Sequence, residues 1–480
     1  MDRSGRVVST ASAPYATRRR LDGEVTQDAG DWLRAVQRTM RACVLSLHES
    51  HNIAGISITA PAHVGVLVGS DDEPLFRCLL KSDGRPAHVA ERLRSRFGKS
   101  FFEQTFVELS SAWTFPQLAW LRARHPDIWP RIRLILTQKD YIRFRLTGVA
   151  AIDPTDATGT AMYDPRAGRW LESVRTELGL DTSCLPPIRP ATTVAGGLTR
   201  TWARLTGLAA GTPVAIGATD TAAELISVGA TAPGSSLIKI ASTGTVVAVS
   251  SQPVADRRVL TYPHAVPDRW YTLAATNTAA TAYGWLRETV FASTPDAAGT
   301  TYADMDRMAS RVPPGAGNLL FLPFLEGERT PYWDRDLRAA FLGLSSAHRP
   351  GHLCRAVMEG VAFSLRSCAE TIESLGLAVD HPHLGGGGIE SRLWRSILVS
   401  AIGRTAKITE PQGPAIGAAM LAAAAVGDEQ AAHPRGRSIT VGPRDDWQAT
   451  YDSLFETYRT AAVALQPISH TLSRSGGNVD

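Results

Sequence analysis

Apolar residues recur at helical spacing between Asp31 and Leu47, at Trp32, Val36, Met40, Cys43 and Leu47, and predict an amphipathic helix. The period then changes. IAGISI at 53 to 58 and VGVLVG at 64 to 69 are short β-branched runs separated by TAPAH, and read as adjacent buried strands joined by a tight loop. Ahead of both, Arg6 to Thr10 reads as an extended strand entered from an Asp-Arg-Ser-Gly turn. Residues 116 to 147 read as largely helical, with Trp120, Leu121, Ile132, Leu136 and Tyr141 in the core. CLPPIRPATTVAGG, 184 to 197, reads as a loop, and PVAIG, 213 to 217, as another buried strand.

TAPGSS at 231 to 236 marks a composition shift, read as a linker or turn. SLIKIASTGTVVAVS then gives strand, glycine turn and strand. Helical periodicity returns at 351 to 375, 391 to 402, 414 to 426 and 447 to 465, with a polar loop from Glu429 to Ser438. Short buried strands alternating with helices predict an α/β fold whose sheets are covered on both faces.

Composition narrows this picture. A chain of 480 residues that is 44% hydrophobic and 20% charged has the makeup of a globular protein of two or three domains. No apolar run is long enough for a bilayer span, and the start lacks a signal-peptide core, so the expected location is the cytoplasm with no membrane partner. A net charge of +4 is small, and Arg18-Arg19-Arg20 reads as solvated surface, so no nucleic-acid partner is expected. Only five of the fifty basic residues are Lys, which fits a GC-rich coding bias. The five Cys are scattered without CxxC spacing and read as buried free thiols. His381 and His383 alternate on a strand leading into Leu384, where packing explains them better than metal binding.

Four segments could carry chemistry. In PVAIGATDTAAEL, Asp220 follows a strand and precedes an expected T-A-A-E capping box, Thr221 to Glu224. Ligands of open α/β sheets bind at that strand edge, and a carboxylate there can take a proton from a hydroxyl; alternatively it favours the helix dipole. In ASTGTVV, a turn of Thr243, Gly244 and Thr245 exposes backbone N–H groups suited to phosphate, or is an ordinary hairpin. HLGGGGIESRLW places Gly386, Gly387 and Ser391 between a strand and a helix, where glycine permits close ligand approach. Its spacing does not match a dinucleotide fingerprint. Gly417, at a helix start, allows tight packing or a flat base. Finally His63, Lys81, Asp83 and Arg85 are polar groups beside first-half strands, able to bind a polyhydroxylated ligand or to form loop ion pairs.

AAFLGLSSAHRPGHLCRAVMEG, 339 to 360, resembles the C-terminal signature of the FGGY carbohydrate kinases. LPFLEGERTPYWD at 322 to 334 resembles the loop before it, and LTQKDYIRFRLTG and AIDPTDATGTAMYD resemble first-domain segments, especially those of xylulokinases. The resemblance implies an actin-like ATPase architecture: two ribonuclease-H-like domains, 1–233 for the sugar and 234–480 for the nucleotide with a helical tail, and a cleft between them. It implies ATP, Mg²⁺ and γ-phosphoryl transfer to a sugar or polyol such as a pentulose. It makes Asp220 the general base and Thr243, Gly244 and Thr245 a phosphate loop. Gly386, Gly387, Ser391 and Gly417 then line the nucleotide site, and His63, Lys81, Asp83, Arg85 and Thr221 border the sugar. Metal ligands stay unassigned, and a homodimer stays open.

The chain departs from the family pattern in its sugar pocket. Pro61-Ala62-His63 stands for Gln-Met-His, Lys81 for a frequent Trp, and Thr221 for a frequent Asn; Gln117 replaces a usual Lys. The family's leading hairpin with Asp-x-Gly-Thr, whose Asp helps hold the metal, has no counterpart, so the first domain is expected to lack its two leading strands. One reading is a native protein about 20 residues longer, an estimate from two strands plus turns, and an active sugar kinase. This reading is preferred because the other site residues are present. The alternatives are an impaired sugar- or nucleotide-binding regulatory protein, and an actin-like ATPase without a sugar substrate.

Overall fold

The computed structural model describes residues 1–47, 53–291 and 299–475. Its largest sheet is built in the second half. Ser236–Ile240 and Gly244–Ser250 form an antiparallel hairpin with Ile240 opposite Gly244. Trp270–Thr276 and Leu260–Pro263 extend it on one side. His383–Gly385 adds in parallel on the other side, followed by Ala406–Glu410 and Arg437–Val441. Inward apolar side chains on both faces explain the near-continuous hydrophobic runs. One face, with Ile238, Val246 and Ala274, packs against the long helix Pro350–Ser374. The opposite face, with Leu237, Val247 and Leu273, joins a core containing Ala222 and Leu225 of helix Asp220–Val228 and Met420 and Leu421 of helix Pro414–Ala425.

First-half strands form smaller ladders. Gly65–Val68 pairs antiparallel with Leu134–Thr137, and Val194–Gly197 with Pro213–Ala215. Thr17–Arg19, Val25–Gln27 and Cys78–Leu79 make a three-stranded sheet. The helices expected at 31 to 47, 351 to 375, 391 to 402, 414 to 426 and 447 to 465 form over Ala29–Leu45, Pro350–Ser374, Arg392–Ile402, Pro414–Ala425 and Asp445–Ala464. All five thiols are free.

Several expectations need correction. The Asp2 turn forms, its carboxylate accepting from Ser4 N at 2.9 Å, but Arg6 to Thr10 joins no ladder. Extended backbone becomes a strand only when a neighbour pairs with it. Residues 53 to 58 do not pair with 64 to 69. Ile56 instead makes a parallel bridge to Val214, exchanging bonds with Pro213 O and Ala215 N at 2.8 Å each. The stretch 116 to 147 is not one helical region: Leu134–Thr137 is a buried strand between helices Thr114–Arg124 and Gln138–Thr147. Four apolar residues fit either period. The 184 to 197 loop closes with the strand Val194–Gly197.

Candidate active site

Asp220 is the first residue of helix Asp220–Val228, just beyond the C-terminal end of strand Pro213–Ala215. Three contacts fix that turn. Arg143 donates to Ile216 O at 3.1 Å, Thr219 N donates to the Thr155 hydroxyl at 3.0 Å, and Asp220 N donates to Ala60 O at 3.1 Å. Gly217 has φ +75, and a Cβ there would lie 2.2 Å from Ile58 O, so only glycine lets the chain pass. The expected capping box at Thr221 does not form. Thr219 is the N-cap, without a side-chain bond, and Glu224 pairs with Lys239 instead. The half-buried Asp220 carboxylate accepts from Thr221 N at 2.7 Å.

Around Asp220 the fold gathers groups from both halves. Lys81 reaches solvent, yet surrounding protein and the Arg329 charge lower its pKa, while Asp220 opposes that shift. His63, at φ +80, stacks on Trp113 with ring centroids 4.2 Å apart, and its Nε2 lies 3.1 Å from the Tyr262 hydroxyl. Burial first, then Lys81, holds the His63 pKa down at about 3, so the ring is neutral near pH 7. Burial and the Asp220 charge raise the Tyr262 phenol. Arg329 donates to Thr276 O at 3.3 Å, and its buried Nε has no partner among the described residues.

Asp83 and Arg85 have a different setting. Asp83 is fully buried and accepts from Val25 N at 2.9 Å and from Arg85 Nε and Nη2 at 2.9 and 2.7 Å. Arg85 also lies over the Trp120 ring, 4.7 Å from its centroid. Together they lock strand Val25–Gln27 to the turn after Cys78–Leu79. Gln117 is likewise a structural donor, to Leu80 O and Ser111 O.

The glycine segments converge on Ile240. A Cβ at Gly386 would sit 2.3 Å from Ile240 O, and one at Gly388 2.3 Å from its side chain, whereas one at Gly387 would meet nothing within 4 Å. Gly387 therefore fronts open space beside the turn that follows Ile240. In that turn Ala241 O and Ser242 O accept from Ala280 N and Ala279 N, leaving Thr243 half-buried at its end. Gly244 is enclosed, with a Cβ falling 2.6 Å from Thr276. Thr245 continues the strand, opposite Lys239. Ser391 caps helix Arg392–Ile402, accepting from Trp394 N at 3.1 Å. Gly417 packs on Ala223 O, so its helix seats directly against the Asp220 helix.

Lys239, Tyr262, Arg329 and Trp113 were not picked out from sequence. A signal existed for two of them: Lys239 is the one charge in the buried strand SLIKI, and Arg329 stands in the loop already singled out before the C-terminal signature.

A strand-end carboxylate together with glycine-lined loops, on layered α/β halves, suits transfer of a phosphoryl group to a hydroxyl. The xyloylose kinase from Brucella ovis shares this scaffold with TM-score 0.88 and 29% identity over 98% of this chain and 96% of that one, which defines a kinase of the two-domain actin-like ATPase architecture. The FGGY carbohydrate kinase N-terminal domain matches residues 1–227 and the C-terminal domain residues 238–426, so the chain belongs to the FGGY family of carbohydrate kinases. The xylulose kinase of Bacillus subtilis is 28% identical over 484 residues, 98% of this chain and 95% of that one. The gluconokinase of the same organism is 25% identical over 488 residues, covering 98% and 92%. The protein is an enzyme that phosphorylates a sugar at the expense of ATP.

Proposed function

We propose that Asp220 is the general base and that the acceptor is a small ketose or related polyol, xylulose being the class named by several relatives. The carrying observation is the placement of Asp220 at a strand's C-terminal edge, among Lys81, Tyr262 and Arg329 from both halves. Asp220 takes the proton of the acceptor hydroxyl as its oxygen attacks the γ-phosphorus, and ADP leaves with the electron pair of the broken P–O bond. Lys81 and Thr221 orient acceptor hydroxyls on one side, and neutral His63 closes the pocket against Trp113. Asp83 and Arg85 act one layer back, by holding the turn that carries Lys81.

Thr243, Gly244 and Thr245 with Gly386 and Gly387 receive the nucleotide phosphates, supported by the open space at Gly387 and its closeness to the Ile240 turn. Ser391 and Gly417 act as supports, through the helix cap and the helix contact. Mg²⁺ neutralises phosphate charge in such transfers. Asp220 is the carboxylate of the proposed site that would hold such an ion, bound with the nucleotide phosphates. No helix among the described residues is long and apolar enough to cross a membrane.

The test is Asp220→Asn, with ADP release measured over a panel of ketoses, alditols and aldonates. Sugar-dependent turnover should fall at least a hundredfold, about 2.7 kcal/mol by rate arithmetic, with ATP affinity retained. Full activity would remove Asp220 from the role. ATP hydrolysis indifferent to every acceptor would remove the sugar-kinase reading of the pocket.

A further inference from the structure

Behind the Asp220 turn lies a cluster of charged side chains withdrawn from water. Lys139, Asp140, Arg143 and Asp153 are 0% exposed and Asp156 is 1% exposed. Lys139 Nζ lies 2.6 Å from Asp140 Oδ1, 2.9 Å from Asp153 Oδ1 and 3.6 Å from Asp156 Oδ2. Arg143 pairs with Asp140 and donates to Ile216 O. Two cations thus face three carboxyl groups.

The Thr137 hydroxyl decides where the imbalance goes. Its oxygen is 2.7 Å from Asp140 Oδ2 and 2.6 Å from Asp156 Oδ2. A hydroxyl has one hydrogen to give. Two ionised carboxylates cannot both accept it at these distances, so one carboxyl must supply a proton of its own. Asp140 has Lys139 and Arg143 at its other oxygen, and Asp153 has Lys139 and Thr155 N, the latter at 2.9 Å. Asp156 has only the distant ammonium, and its Oδ1 is buried without a hydrogen-bond partner among the described residues. A buried charged oxygen left unpaired is costly, whereas the carbonyl of a neutral acid is tolerated more easily.

We propose that Asp156 is a neutral carboxylic acid in the folded enzyme, donating to Thr137, which donates to Asp140, and that the resulting neutral cluster is the positioning base of the Asp220 turn. Asp153 caps helix Pro154–Gly159, whose Thr155 hydroxyl accepts from Thr219 N, one residue before Asp220. Arg143 holds the same turn at Ile216. Loss of the proton leaves one uncompensated negative charge at the root of both supports.

Burial drives the Asp156 carboxyl up to about 7, Lys139 opposing and Asp140 and Asp153 assisting. The groups facing it are Lys139 and Asp140 on helix Gln138–Thr147, Asp153 at its own helix start, and Tyr262 from the second half, while Arg143 faces Asp140. His63 lies near the end of the same helix, at Gly159. A folded pKa above the unfolded one means that this stability is present at low pH and lost as pH rises from about 4 through about 7.

The role assigned to the cluster rests on Asp220 being the base, but the proton itself is read without activity. Infrared spectra of the full chain in a Glu328→Gln background, which removes another buried carboxyl titrating nearby, should show a protonated-acid carbonyl band at pH 6. The band should fade through neutral pH, persist in Thr137→Val, and vanish in Asp156→Asn. Wild-type kcat should fall above neutrality, and Asp156→Asn should keep kcat within about threefold of wild type at pH 6.5 and lack that fall. Asp140→Asn should lose at least tenfold in kcat at every pH with the KM for ATP unchanged. Absence of the band in the Glu328→Gln background overturns the proposal even if Asp156→Asn fails to fold. An Asp156→Asn enzyme as damaged as Asp140→Asn at pH 6.5 overturns it too. A band present while Asp220→Asn stays active would preserve the proton and sink only the catalytic reading.

Discussion

The Nε2 of His63 meets the hydroxyl of Tyr262 at 3.1 Å, joining side chains 199 residues apart. His63 follows the segment that bridges to strand Pro213–Ala215, and Tyr262 stands on strand Leu260–Pro263 of the large sheet. Trp113 stacks on the histidine and Tyr271 on the tyrosine, so the contact has a rigid ring on each side. It is a side-chain latch between the halves, with Tyr262 close enough to Asp220 to feel its charge.

Tyr262→Phe keeps the rings and removes the latch. A net hydrogen bond is worth about 1 kcal/mol, so thermal unfolding should shift by only a few degrees while the acceptor KM rises severalfold. The pH dependence has a definite sign. The folded pKa of His63, about 3, lies below its ordinary 6.5. Its neutral form therefore contributes stability that is complete above 6.5 and is lost as pH falls toward 3. Urea denaturation between about pH 4 and pH 7 should show a smaller loss for His63→Gln than for wild type. Equal slopes would mean that the imidazole protonates freely in the folded state.

Glu328 gives the opposite sign. It is 2% exposed, and burial pushes its carboxyl up to about 7. Its Oε1 accepts from Asn277 N and Arg329 N, at 3.0 and 2.7 Å. Its Oε2 faces the hydroxyls of Thr276 and Ser364, at 2.6 and 3.2 Å. Hydroxyls can reverse and amide N–H groups cannot. A glutamine with its oxygen toward the N–H pair and its NH₂ toward the hydroxyls fits the same site. Glu328→Gln should therefore fold with near-native stability near pH 4.5 and gain relative to wild type as pH rises from there through about 7, the gain levelling off above it. Glu328→Ala leaves two half-buried N–H donors unpaired and should lose roughly 2 to 5 kcal/mol. Melting curves of both variants across that range are the check.

How far the sequence announced this site depends on what each residue answers to. The position of Asp220 was readable because strand end and helix start are local patterns, and the turn at Gly386 and Gly387 because glycines between strand and helix are unusual in any context. The four-residue strand Leu134–Thr137 was hidden inside a helical reading because its period is undecidable at that length. Arg6 to Thr10 has strand-like residues but joins no ladder, a fact about neighbours rather than about itself. Glu224 matched a capping box and instead turned to Lys239, because an ammonium facing a buried carboxylate from the adjoining strand is a stronger partner than a backbone N–H. Tyr262 comes near Asp220 only through sheet order, and Arg329 through the bond its neighbour Thr330 N makes to Ala275 O, contacts that set together residues far apart in sequence.

Gly417 tests whether the Asp220 helix is held by its neighbours as closely as the geometry implies. A Cβ at position 417 would fall 1.7 Å from Ala223 O, with the Ala223 carbonyl carbon and Cα at 2.4 and 3.0 Å. The obstacle is backbone, so no rotamer change can relieve it, and helices Asp220–Val228 and Pro414–Ala425 must separate. Overpacking of this kind costs about 1–3 kcal/mol. Ala223 is three residues from Asp220, so the displacement is carried to the carboxylate, where an error near 1 Å can cost on the order of a hundredfold in rate. Gly417→Ala should thus lose more in kcat than its drop in melting temperature accounts for. Gly427→Ala, just past the same helix with φ +77 and nothing near its Cβ, should lower stability slightly and leave kcat unchanged. If both variants lose stability alike and neither loses kcat, the helix contact is dispensable for placing Asp220.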